Sequence, residues 1–324
     1  MKTKIIAEAG LNHDGKFSKA KKLIDVAKNA KADFVKFQLY KSEEFLNSKL
    51  NLNYKKTAKK FSKRELKLSD WKKLHDYSKA KKIKFFFSIF DVYSLQIIKK
   101  LKIKIVKIPS GEITNYKLLN EVAKMKLKII ISTGMATLKE IKNALKCLKG
   151  CDVVILHCIS EYPTQRSELN YINYLKKKFP KNKIGFSDHS ENIFWPAASL
   201  YHGATYVEKH FTLNKKVSIG DHHMSLEPND LKEMIILIRE TEKNLLKKKT
   251  KKISIKEQKL KILARKAIYL VENKNIGEKV TINDIKFLRP QLGIKSEDFK
   301  LILNKKLIKK AKAFKPLSFR MFNK

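Results

Sequence analysis

Short runs of β-branched and aromatic residues recur along the chain, and each is followed by a helical pattern. The runs predict strands at Lys4–Glu8, Phe34–Gln38, Lys84–Ser88, Ile103–Lys107, Lys128–Ser132, Val153–Cys158, Lys183–Phe186 and Thr205–Glu208. Between and after them the pattern predicts helices at Ser18–Ala30, Asp70–Lys81, Val92–Leu101, Tyr116–Lys126, Leu138–Leu148, Leu169–Phe179, Ile193–Tyr201 and Asp230–Leu246. Eight strand and helix pairs within about 250 residues is the arithmetic of an α/β fold of the (β/α)8 TIM barrel type. After Leu246 the pattern changes. A basic stretch over Lys247–Lys252 suits a linker, Ser254–Lys266 is helical in flavour, and from Ala267 short strands alternate with turns. Those strands and turns are Ala267–Val271, the turn at Asn275–Glu278, Val280–Ile282 and the stretch Arg289–Gly293. The predicted organisation is a barrel over 1–246, a linker over 247–261 and a small, mainly β domain over 262–324.

Composition changes this picture little. The 324 residues are 43% hydrophobic, too apolar for a disordered chain, and no apolar run approaches the roughly 20 residues that span a bilayer. Three cysteines, Cys147, Cys151 and Cys158, are an odd number with no disulfide framework, which fits a reducing, cytoplasmic setting. A formal net charge of +42 raises nucleic acid or anionic membranes as partners. Only six of the 73 basic residues are arginine, however, and the lysines are spread over nearly every predicted helix, with runs at Lys247–Lys249, Lys251–Lys252 and Lys305–Lys310. The side chain that forks onto phosphates and guanine edges is scarce, so neither membrane nor nucleic acid is the expected partner. An anionic small substrate suits the charge better.

A barrel keeps its chemistry at the C-terminal ends of its strands. All eight runs close on polar residues there: Glu8; Lys36 and Gln38; Ser88; Lys107 with Ser110; Ser132; Glu161 with Tyr162; Ser187, Asp188 and His189; and Glu208 with His210. Any one of them alone reads as a strand-end cap or loop residue. Together they would carry a desolvation cost that a ligand or mutual pairing must offset. Two lysines and four serines suit the oxygens of a phosphate or carboxylate. His189 and His210 end neighbouring strands, where neutral imidazoles could bind a divalent ion with positions left open for substrate. Asn12 and His13 follow Glu8 closely enough to reach the same mouth, with a purely structural loop role as the other reading. His222 and His223 sit in a loop beside Asp221 and are not read as ligands.

Seven ordered motifs make the chain resemble the sialic acid synthase family over nearly its whole length. They are Ile5-Ile-Ala-Glu8-Ala-Gly-Leu-Asn12-His13-Asp-Gly15, Val35-Lys36-Phe37-Gln38, Lys107-Ile-Pro-Ser110-Gly-Glu112-Ile-Thr-Asn115, Ile131-Ser132-Thr-Gly-Met135, His157-Cys-Ile-Ser-Glu161-Tyr162-Pro163, Gly185-Phe-Ser187-Asp188-His189-Ser190 and Glu208-Lys-His210-Phe-Thr212. Ala264-Arg-Lys-Ala-Ile268 with Leu288-Arg289-Pro290 resembles the antifreeze-like (SAF) domain attached to those synthases. The resemblance implies condensation of phosphoenolpyruvate (PEP) with an N-acyl amino sugar, N-acetylmannosamine or a relative, releasing phosphate. Legionaminate or pseudaminate synthesis from a diacetamido-trideoxyhexose is the neighbouring alternative.

Carried over residue by residue, the resemblance implies that Lys107, Ser110, Ser132 and Ser187 hold the phosphate of PEP, and Lys36 and Ser88 its carboxylate. Gln38, Tyr162 and Asp221 would face the sugar, and His189 and His210 would bind manganese or another divalent ion such as magnesium. Glu8 is the implied acid/base carboxylate, with Asp221 its competitor. Arg289 would reach the acyl group from a second chain of a domain-swapped homodimer. The chain departs from the family at Phe87-Ser88-Ile89-Phe90, at Ile219-Gly220-Asp221 and at Gln291-Leu292-Gly293, and Asn47–Lys67 reads as a short Lys-rich loop. Two rivals stay open: a pyruvate aldolase that forms an imine on Lys36 or Lys107, and a Lys-rich nucleic-acid binder without catalysis.

Overall fold

A computed structural model describes residues 2–217, 220–245 and 252–323. Ile219 and most of the Lys247–Lys252 stretch lie outside the described residues. The chain divides into two compact units, 1–247 and 248–324.

The first unit is a closed parallel barrel of β1 (Lys4–Gly10), β2 (Phe34–Leu39), β3 (Lys84–Ile89), β4 (Ile105–Ile108), β5 (Lys128–Ser132), β6 (Asp152–His157), β7 (Lys183–Asp188) and β8 (Tyr206–His210). Each strand bonds the next, and β8 returns to β1 with Glu8 opposite His210. Runs such as Ile129–Ile131 and Val154–Leu156 are fully buried because helices cover one face of the sheet and side chains fill the other. The covering helices follow the predicted order. Leu138–Cys147, for example, starts on a capping box between Thr137 and Glu140 and buries Ile141 and Ala144 against the strands.

Several boundaries differ from the pattern for a common reason. Strands β1, β3, β7 and β8 run on past the predicted ends to Gly10, Ile89, Asp188 and His210, because an apolar count stops at the first polar residue while the backbone pairing does not. The expected loop Asn47–Lys67 contains a helix, Leu52–Ser62, which Asn51 caps by accepting from the amides of Asn53 and Tyr54 at 3.0 and 3.1 Å. Four helix-to-strand turns close on a left-handed lysine, Lys31, Lys82, Lys102 and Lys126, with φ of 66°, 55°, 54° and 53°.

The second unit begins with the helix Ile255–Ala264 and holds one antiparallel pair, Ala267–Leu270 against Ile285–Leu288. The predicted strand Val280–Ile282 is not formed. Thr281 and Asp284 cap one another around a 3-10 turn that starts at Ile282, and the strand follows that turn. Val280 instead joins Ile268, Leu270, Ile302, Leu307 and Leu317 in a separate apolar core. Among the described residues no helix is long and apolar enough to cross a membrane, and all three cysteines are free.

Candidate active site

Alternation along parallel strands sends every second side chain into the barrel, so the last inward residues of neighbouring strands meet at its C-terminal mouth. Register brings Glu8 opposite Lys36, Ser88 opposite Lys107 and Ser187 opposite Glu208. All six are buried. The Lys36 ammonium pairs with Glu8, donates to Ser88 Oγ at 2.5 Å and lies 3.3 Å from Glu208 Oε2. Glu208 Oε1 accepts from Lys107 Nζ at 2.7 Å and from Ser187 Oγ at 2.9 Å. Two buried cations therefore face two buried carboxylates.

The carboxylates share these cations unequally. Burial raises the Glu8 carboxyl to about 7, helped by the like charge of Glu208 and opposed by Lys36. Burial acts on Glu208 in the same direction, but Lys107 and Lys36 outweigh it and hold that carboxyl well below the usual range. Lys36 is raised against its own burial by Glu208 and Glu8, whereas burial leaves Lys107 lowered. At neutral pH the mouth thus holds a firm carboxylate at Glu208 and a proton-exchanging one at Glu8.

Beside this floor lies a set of hydroxyls. Ser132 ends β5 with its Oγ buried and without a hydrogen-bond partner among the described residues, and Ser160 Oγ is in the same condition. Ser110 Oγ accepts from the Gly134 amide at 3.1 Å and lies 3.2 Å from Cys158 Sγ. Gly134 is required there, since a Cβ would stand 2.1 Å from Ser160 Oγ and 2.9 Å from Ser110 Oγ. Unsatisfied buried hydroxyls beside a glycine with no side chain in the way are a cradle for anionic oxygens.

The histidines occupy the other side of the mouth. His189 donates from Nδ1 to the Ile159 carbonyl at 2.6 Å, which leaves Nε2 as the lone-pair nitrogen. Its ring centroid is 5.7 Å from that of His210, whose Nδ1 is buried without a hydrogen bond and 3.8 Å from Asp221 Oδ2. Burial lowers His189 to about 4 and His210 well below its ordinary value, so both rings are neutral donors. Among the described residues no cluster of three or more His, Cys, Asp or Glu is arranged to hold a metal. These two rings, with Asp221 alongside, could hold an ion only with its other positions left to water and substrate. Burial raises Asp221, and the charges of Arg64, His223 and His222 oppose that rise.

The remaining expected residues separate. Tyr162 is half-exposed and lies over His189, centroids 4.3 Å apart. Gln38 reaches the rim: a Cβ on Gly10 would be 3.5 Å from its Nε2, 3.2 Å from Glu8 Oε1 and 3.6 Å from His210 Cε1. Arg289 belongs to the second unit, beside a cavity of about 300 Å³ lined also by Tyr269, Leu292 and Phe314. Asn12 is structural, since its amide donates to the Phe211 carbonyl at 2.8 Å and to Ser225 Oγ at 3.0 Å. His13 packs against Trp71 and Phe37 with Nδ1 accepting from the Gly15 amide, and its Nε2 is buried without a hydrogen-bond partner among the described residues. His222 bridges Thr212 and Asp14. The residue whose importance sequence reasoning missed is Glu208, although its place two before His210 on one strand already put both on the inner face.

The closed parallel barrel thus gathers two buried lysines, two buried carboxylates and open hydroxyls at the end of its strands where such barrels keep their chemistry. Comparison with known proteins gives the family: the sequence profile of the NeuB family matches residues 23–251, and the chain belongs to that family of sialic acid synthases. It is 40% identical over 320 residues to the N,N'-diacetyllegionaminic acid synthase of Campylobacter jejuni, covering 94% of this chain and 95% of that one. It is 34% identical to the N-acetylneuraminate-9-phosphate synthase of Drosophila melanogaster, covering 72% of this chain and 66% of that one. Among solved structures, the N-acetylneuraminic acid synthetase of Leptospira borgpetersenii, crystallised with citrate, matches at a TM-score of 0.73 and 34% identity over 80% of this chain and 90% of its own.

Proposed function

We propose that the chain condenses PEP with an N-acyl amino-sugar aldehyde and water to give a nine-carbon 2-keto acid and phosphate. The observation that carries this reading is the pair of buried ammoniums, Lys36 and Lys107, set against open hydroxyls at the barrel mouth. Lys107, Ser110, Ser132 and Ser187 bind the phosphate, and Lys36 with Ser88 binds the carboxylate. His189 and His210 hold a divalent ion, manganese or magnesium, which when bound supplies Lewis acidity toward a carbonyl.

The chain's own residues do the rest. They hold C3 of PEP against the aldehyde carbon; the C–C bond forms as the π pair leaves C2, and the aldehyde oxygen takes up a proton from solvent. Water then adds to the electron-poor C2, and Glu8, whose carboxyl exchanges its proton near neutrality, receives the proton that water loses. The C2–O bond to phosphate breaks last, as the C2 hydroxyl passes its proton to the departing phosphate and closes to the keto group, with the leaving charge stabilised by Lys107 and the serines. Gln38, Tyr162 and Asp221 orient the sugar. The second unit serves as an antifreeze-like domain that brings Arg289 to the acyl group of a partner chain's substrate in a homodimer. The likeness to the C. jejuni protein favours a diacetamido-trideoxy acceptor over N-acetylmannosamine.

The test is phosphate release with mass detection of the product over a panel of amino sugars. It should require PEP, acceptor and a divalent ion together, and be lost in His189→Ala and His210→Ala. Borohydride trapping of pyruvate on Lys36 or Lys107 would replace this reading with imine chemistry.

A further inference from the structure

One basic side chain reaches the mouth without a role in the scheme above. Arg64 follows the helix Leu52–Ser62, and the loop after β1 presses on its backbone. A Cβ on Gly15, where φ is +71°, would stand 2.2 Å from the Lys63 carbonyl oxygen and 3.2 Å from Arg64 Cα. Only glycine permits that approach. The guanidinium in turn lies against Gly220, the residue before Asp221, with both terminal nitrogens 3.4 Å from where a Cβ would be. A side chain fixed at both ends in this way is positioned, not merely solvated.

Arg64 also lines a cavity of about 270 Å³ together with Gln38, Tyr40, Lys41, Trp71 and Tyr93. Gln38 joins that cavity to the reacting end of the mouth, because its amide reaches the rim beside Glu8 and His210. At roughly 30 Å³ per water, the space of about 270 Å³ holds about nine waters, ample for one substituent of a sugar. Of the other charges lining it, Lys41 lies 3.3 Å from Glu65, which also accepts from the amide and hydroxyl of Ser42, while Lys67 and Lys100 are exposed. The Arg64 side chain has no hydrogen bond or ion pair among the described residues. A guanidinium carries five N–H donors in a fixed fork.

We propose that this cavity receives the substituent of the acceptor sugar farthest from its aldehyde, and that Arg64 donates to an oxygen there. That oxygen belongs to an acylamino carbonyl or to a phosphate ester; both present the same acceptor chemistry to a guanidinium. The assignment rests on the synthase reading and adds to it the residue that selects among acceptors.

Steady-state kinetics on the full chain with Arg64→Met and Arg64→Lys test it. The acceptors are N-acetylmannosamine, its 6-phosphate and the diacetamido-trideoxy sugar. Arg64→Met should raise KM for the preferred acceptor about ten- to a hundred-fold. KM for PEP, kcat and the melting temperature should stay close to wild type. Arg64→Lys should recover most of the loss if a phosphate ester is the partner, where a point charge suffices, and little if it is an acylamino group. An unchanged acceptor KM in Arg64→Met, or equal losses for PEP and acceptor, overturns the inference while wild-type turnover keeps the synthase reading. A wild-type chain that releases no phosphate with any acceptor removes both.

Discussion

Glu208 offers the sharpest test of how the mouth is held together, because it bridges the two lysines that the proposed substrate would claim. Glu208→Gln keeps the shape and the ability to accept from Ser187 but removes the charge facing Lys107 at 2.7 Å and Lys36 at 3.3 Å. Lys36 retains Glu8, whereas Lys107 is left with no counter-ion among the described residues. Removing one partner of a buried pair costs about 3–5 kcal/mol, chiefly through the stranded charge. For a unit of this size each kcal/mol is about 2–4 °C, so the melting temperature should fall by roughly 6–20 °C.

The same substitution should strengthen the response to anions. In the wild type, PEP must compete with Glu208 for both ammoniums, while in the variant it fills a vacant place and its binding energy adds to stability by mass action. Differential scanning fluorimetry with and without PEP, and with inorganic phosphate, should therefore show a larger ligand-induced rise in Glu208→Gln than in the wild type. The sign with pH is also fixed. An unpaired buried ammonium has its pKa pushed further down, so its cost is greatest where it stays protonated and is relieved as pH rises. The deficit should narrow between pH 7 and 9. A variant melting within about 2 °C of wild type, or equal PEP-induced rises in the two proteins, would refute the reasoning.

Other parts of the molecule respond in calculable ways. His13 is held at about 4 by burial against an unfolded value near 6.5, so its contribution is present above 6.5 and lost as pH falls through 4. Urea unfolding should show the wild type losing about 2 kcal/mol more than His13→Gln between pH 7 and pH 5, and equal losses would remove that assignment. Lys82→Gly and Lys102→Gly should each stabilise by about 0.5–1 kcal/mol, since both lysines sit at positive φ where glycine is unstrained; a lower melting temperature in either would count against it. Gly134→Ala puts a methyl onto Ser160 and Ser110 and should raise KM for PEP at least ten-fold with the acceptor KM little changed; an unaffected PEP KM would separate that cradle from substrate.

The fold was legible because a parallel strand buried on both faces leaves a continuous apolar run, and Lys128–Ser132 shows this at its plainest: predicted and observed bounds coincide. Legibility failed where local polar chemistry outweighed apolar pattern. Asn51 starts a helix with no buried residue, and Thr281 with Asp284 folds a turn where Val280–Ile282 reads as a strand. In the site, strand-end polarity located the mouth and the residues that meet there, because alternation and strand order place them together. It could not say which charges pair, since Lys36 and Lys107 lie 71 residues apart and find Glu208 only through barrel closure.

The local charge count also shows why the net charge of +42 is a poor guide to this protein. At the mouth two ammoniums meet one firm carboxylate and one that shares a proton near neutrality, so the floor carries about one positive charge at most. PEP brings one negative charge on its carboxylate and about −1.5 to −2 on its phosphate. Buried charge without compensation is costly, and the lysines that lie outside this floor cannot supply it across solvent beyond a Debye length of about 8 Å. On the proposed reading the deficit is close to two positive charges, which a divalent ion between His189 and His210 would make up. Two neutral imidazoles suit that role better than acidic ligands would, because they contribute lone pairs without cancelling the charge that the bound anion needs.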